Sequence, residues 1–169
     1  MIDTALDNLP GAIRSKSGSV FYSGREAFTG KKSLYLLGLN PGGDPVAQVE
    51  NTVDRHIVEH RRRQDRWSAY ANDSWEGARP GTWGMQPRVL HMLREVGIDS
   101  QLTPASNVVF ARTPNEAALR ESKIAMLKAC WPVHTRCPGR QRCYPQSMFG
   151  RQRIGFLHQA MPQFPRFQA

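Results

Sequence analysis

The stretch Gly38-Leu39-Asn40-Pro41-Gly42-Gly43-Asp44 sets a carboxamide and a carboxylate among glycines, a composition suited to a binding loop. Glycines beside Asn40 let a ligand approach the backbone closely and leave amide donors unshielded by side chains. A loop of this kind makes a polar pocket able to hold an anion or a flat heterocycle. Asn107 supplies a second carboxamide, and Trp83, between Gly81-Thr82 and Gly84, supplies an aromatic face. Each residue also has a plainer use. Asn40 can cap its own loop, Asn107 can be a buried residue satisfied by a neighbouring loop, Trp83 can be a packing residue, and Asp44 can be an acid at a helix N-terminus.

The elements around these residues follow from periodicity. Ser33-Leu34-Tyr35-Leu36-Leu37 is apolar on both faces and ends at Gly38, the pattern of a central parallel strand. Ser106-Asn107-Val108-Val109-Phe110-Ala111 reads as a second buried strand, and Val20-Phe21-Tyr22 as a short one before a turn at Ser23-Gly24. The spacing of Val49, Val53, Ile57 and Val58 predicts a helix over 46–70, with Arg61-Arg62-Arg63 on a solvated face or at a phosphate. A second helix is expected from about Pro87 to Val96, stopped by Gly97. A third runs from Glu116 to Cys130 and is disrupted at Trp131-Pro132. Strands alternating with helices argue for an open α/β layer fold, in which ligands bind beyond the carboxyl ends of the strands. That rule selects the loops that carry Asn40 and Asn107.

At 169 residues the chain has the size of one domain. It has no run of eighteen apolar residues and no basic, apolar leader, so a protein without a membrane span, located in the cytoplasm, is expected. Cys130, Cys137 and Cys143 are too few for a disulfide framework, and with His134 they match no established zinc spacing, so no metal is expected. The net charge is +9, which favours a polyanionic partner. Its distribution is uneven, because the first 134 residues carry 17 basic and 14 acidic side chains and the remainder carries six arginines and no acid.

Composition changes at residue 135. From there to Ala169 the sequence is rich in Gln, Arg and Pro, lacks Lys, Asp and Glu, and sustains no period. Two explanations stand: a natural basic tail that contacts phosphate, or a reading frame shifted near codon 135. The chain is therefore divided into an α/β domain over 1–134 and a basic, irregular, poorly ordered tail over 135–169.

Leu34 to Pro45 (LYLLGLNPGGDP) resembles the first motif of the uracil-DNA glycosylase superfamily, in the Gly-x-Asn-Pro-Gly form of its mismatch-specific branch. Ser106 to Asn115 (SNVVFARTPN) is similar to that superfamily's second-strand segment, and Gly81-Thr82-Trp83-Gly84 to its loop bearing the base-stacking ring. The resemblance implies a three-layer α/β/α sandwich with a short parallel central sheet, hydrolysing the N-glycosidic bond of uracil or a related damaged pyrimidine. Asn40 would position the attacking water, with Asp44 as a second candidate catalytic group. Gly38, Pro41, Gly42, Gly43, Trp83 and Asn107 would bind the substrate, with Trp83 stacking on the flipped base and Asn107 reading its edge. No cofactor is implied, and the partner is DNA containing uracil or a mismatched or damaged pyrimidine, met by a monomer. Relatives continue past this point with a third strand, then a fourth leading to a His-Pro loop, and neither is legible here; His158 is the only histidine downstream. A fold that is incomplete at its C-terminus would be inactive. The alternative function is then a non-catalytic nucleic-acid-binding protein that uses the basic tail, or an unstable product with no function of its own.

Overall fold

The strand Leu34–Gly38 (β1) forms where expected, and every residue after Leu34 is buried. In this computed structural model, which describes residues 2–120, 123–136 and 142–145, β1 is the middle strand of a small parallel sheet. On one side it pairs with Ala105–Asn107 (β2), in the register Leu36 to Ala105 and Gly38 to Asn107. On the other it pairs with Arg142–Pro145 (β3), in the register Leu34 to Arg142 and Leu37 to Pro145. The molecule is thus of mixed α/β class. β3 is a third strand not expected from periodicity, since four residues are too few to show one. The rest of the expected irregular tail lies outside the described residues, apart from Thr135 and Arg136.

Helices fill the connections. Before β1 come Ile2–Asp7 (α1) and Gly11–Arg14 (α2). Between β1 and β2 lie Val53–Arg62 (α3), Ala69–Asn72 (α4) and Gln86–Glu95 (α5). After β2 come Glu116–Arg120 (α6) and Lys123–Thr135 (α7). Side chains alternate across a strand, and β1 uses both faces. Tyr35 and Leu37 join the larger apolar cluster with Leu6, Ile57, Phe110 and Val133, while Leu36 joins a smaller one with Tyr70, Val89 and Leu93. No helix among the described residues is long and apolar enough to cross a membrane.

Four elements differ from the sequence reading. The single helix expected over 46–70 is divided. Asp44 Oδ1 accepts from the Val46 amide at 2.8 Å, and a succession of turns follows, leaving Val46 and Val49 79% and 59% exposed. α3 begins only after Thr52, whose hydroxyl accepts from the Arg55 amide at 3.1 Å, a helix cap that outweighs the apolar spacing upstream. The short strand at Val20–Tyr22 is instead an extended segment joined by isolated antiparallel bridges, from Gly18 to Ala111, Phe21 to Ser106 and Ser23 to Ser68. The second strand ends its ladder at Asn107, although Val108 and Val109 still donate to the Gly38 and Leu39 carbonyls at 2.8 and 2.9 Å.

The last difference is at Trp131-Pro132, where α7 continues instead of breaking. Proline removes one amide donor and crowds the carbonyl four residues earlier. Here it falls in the final turn, where Val133 and His134 are buried and tie the helix end to the core. The His134 ring lies 2.9 Å from the Tyr35 hydroxyl through Nδ1 and 3.3 Å from the Val108 carbonyl through Nε2. Tertiary packing therefore holds a turn that local preference would release.

Candidate functional site

A cleft of about 610 Å3 opens beside the loop that follows β1. Gly42 and Gly43 form one lip, and Arg112 secures them by donating from Nε to the Gly42 carbonyl at 2.6 Å and from Nη1 to the Ser17 hydroxyl at 3.2 Å. Gly43 has φ +99, a conformation that L side chains rarely adopt, which accounts for glycine at that turn. A β-carbon on Gly42 would meet nothing within 4 Å, so the lip has room for a ligand where a larger residue would intrude.

Trp67, Asp73, Trp75, Glu76 and Trp83 form another part of the wall. Trp83 is half-exposed and sits in a tight turn between Gly81 (φ +81) and Gly84 (φ +57). One fully buried side chain organises this wall. Gln86 donates to the carbonyls of Ala69 at 2.9 Å and Asp73 at 2.8 Å, and its Oε1 accepts from the Trp83 amide at 3.2 Å. Gln86→Leu would leave three polar groups unpaired, two of them carbonyls facing the substituted side chain. A loss of about 3 kcal/mol is expected, read as a lower urea midpoint at constant m-value. An unchanged midpoint would mean that the bridge does not hold the wall.

Tyr22 and His56 also line the cleft. The Tyr22 oxygen accepts from Asn107 Nδ2 at 2.8 Å and from the Ser19 hydroxyl at 3.0 Å, so its own proton remains available to a ligand. His56 Nδ1 accepts from the Val20 amide at 3.3 Å, which places the ring proton on Nε2. Burial, with Arg63 and Arg112 nearby, lowers its pKa to about 4, so the ring is neutral at pH 7.

The residues singled out in the sequence are distributed unevenly around this cleft. Gly42, Gly43 and Trp83 line it directly. Asn107 is buried and reaches it only through Tyr22. Asn40 does not line it either: two residues before the lip, its Nδ2 donates to Thr113 Oγ1 at 2.9 Å and to the Pro41 carbonyl at 3.1 Å. The two asparagines do emerge from neighbouring parallel strands, since Gly38 pairs with Asn107, but they do not face a shared cavity. Gly38 and Pro41 are buried beneath the loop. Asp44 is exposed, outside the cleft, and its carboxylate is occupied in the turn to Val46. Among the described residues no group of three or more His, Cys, Asp or Glu side chains is placed to hold a metal ion; Cys137 lies outside them.

Tyr22, His56, Asp73 and Gln86 were missed by the sequence reading. They come from an extended segment, the middle of α3, the end of α4 and the start of α5. No common spacing links them; only the fold brings them together. No protein-family model, curated protein or solved structure matches this chain.

Proposed function

We propose that the cleft receives an everted pyrimidine from DNA and that the chain hydrolyses the N-glycosidic bond joining base to sugar, on a three-layer α/β/α sandwich. The observation that carries this reading is convergence. Gly42 and Gly43, Trp83 and, through Tyr22, Asn107 come from the three separate segments whose sequences resemble glycosylase motifs, and they meet at one cleft. A flat base fits between an aromatic wall and a glycine lip, where stacking on Trp83 would contribute ~1–3 kcal/mol. Tyr22 and the Nε2 proton of neutral His56 can donate to base carbonyl oxygens. Both hydrogen bonds of Asn40 use Nδ2, so Oδ1, before the lip and not in the cleft itself, is the atom this reading assigns to orienting a water near the sugar.

Release of free uracil from single-stranded uracil-containing DNA tests the proposal. The protein is expected to release it slowly, and Asn40→Ala to reduce the rate about a hundredfold, the order of effect of misplacing a reacting group. Salt-sensitive DNA binding without release of any base would instead support a binding protein that contacts phosphates.

A further inference from the structure

Three carboxylates line the cleft, and their surroundings differ. Glu59 is engaged by Arg55, four residues earlier on α3, at 3.0 Å. Glu76 is exposed on a turn, at φ +50. Asp73 is held in place. Its backbone carbonyl accepts from buried Gln86, the residue lines the cleft, and it forms no ion pair among the described residues. Gln86 also holds the Trp83 amide, so one side chain sets the carboxylate's segment and the aromatic platform in a fixed relation.

Resting on the glycosylase reading above, we infer that Asp73 is the general base of this cleft. The Asp73 carboxylate takes a proton from a water molecule whose oxygen forms a bond to the anomeric carbon of the nucleotide. The bond from that carbon to the base nitrogen breaks, and its electron pair leaves with the base. The anionic base then takes up a proton from solvent, and the products are free base and a sugar hydroxyl. Desolvation raises the pKa of Asp73 above that of a free aspartate, against the opposing influence of Arg63 and Trp67, which makes its carboxylate a better proton acceptor than an exposed one. An amide such as that of Asn40 is a poor base, so a carboxylate lining the cleft supplies what the glycine loop lacks.

The test uses the full chain and uracil-containing single-stranded DNA. Asp73→Ala is expected to lower kcat on the order of 100- to 10,000-fold with KM little changed, and added formate to restore part of the rate by replacing the missing carboxylate. Asp73→Asn, which keeps the side-chain shape, is expected to be as slow and to gain nothing from formate. Wild-type activity that survives in both variants would overturn the inference and leave the glycosylase reading standing. So would a loss confined to KM, or one that formate does not relieve in Asp73→Ala. A wild-type protein that releases no base would overturn the glycosylase reading and this inference with it.

Discussion

Gly18→Ala is expected to be strongly destabilising for a substitution that adds a single methyl group. A β-carbon built on Gly18 lies 2.1 Å from the Phe110 carbonyl oxygen and 2.8 Å from a Val53 methyl carbon. The first obstacle is backbone, so no side-chain rotation relieves it. The Gly18 amide is meanwhile held by the Asn51 carbonyl at 2.9 Å, and the neighbouring Ser19 amide donates to Phe110 at 3.0 Å. Accommodating the methyl group would pull the extended segment away from the chain beyond β2 and open the cleft floor. We expect a loss of about 3 kcal/mol or more in urea unfolding. Gly11→Ala is the matched control, because its β-carbon would meet nothing within 4 Å and the residue lies in α2. That variant should be unchanged or stabilised by about 0.5–1 kcal/mol. Equal midpoints for Gly18→Ala and wild type would show that the two backbones are not so close.

The second large effect is acid sensitivity below pH 6.5. His60 and His134 are 1% and 7% exposed, and burial lowers the pKa of each to about 4. For His60 the approach of His56 and Arg63 adds to burial, while Asp3 opposes it. Both rings are neutral in the native state and ionise readily once unfolded. The unfolded chain therefore binds more protons as the pH falls, so stability is complete above pH 6.5 and declines toward pH 4. Each ring contributes on the order of 3 kcal/mol to that decline, and a small domain has only about 5–15 kcal/mol in total.

His56, whose pKa is also lowered to about 4, adds to the same decline, and His60 isolates one of the three contributions. Among the described residues neither of its ring nitrogens has a hydrogen-bond partner, and the ring packs against Phe21 and Phe28 at 4.9 and 6.1 Å between centroids. Replacing it by an apolar residue removes buried polar atoms with nothing to satisfy them. His60→Leu should therefore raise stability at pH 7 and flatten the decline between pH 6.5 and 4, measured by urea unfolding across that range. If the variant keeps the wild-type pH dependence, His60 is not a source of it.

How much of this was legible in the sequence depended on whether the deciding interaction was local. β1 and α5 are set by continuous apolarity and by Pro87 with Gly97, and both appeared within a residue or two of expectation. The division of 46–70 was missed because Asp44 and Thr52 capture nearby amides with their side chains, and short-range bonds of that kind overrode the spacing of Val49 and Val53. The survival of α7 through Pro132 was missed for the opposite reason, since residues remote in sequence such as Tyr35 and Val108 anchor His134. At the site, the glycine lip and Trp83 were legible because their composition is unusual. Asp73 was not, because nothing near it in sequence marks a residue whose backbone Gln86 holds at the cleft.

The order of the sheet bears on how the chain behaves at high concentration. β1, its most apolar strand, has a neighbour on each side, and the far side of β2 meets the extended segment through Phe21 and through the Tyr22 amide, which donates to the Ala105 carbonyl at 2.8 Å. A second molecule therefore finds no long, bare hydrophobic rim there on which to template itself. The bridges that deny the Val20–Tyr22 segment the status of a strand serve as a guard against aggregation.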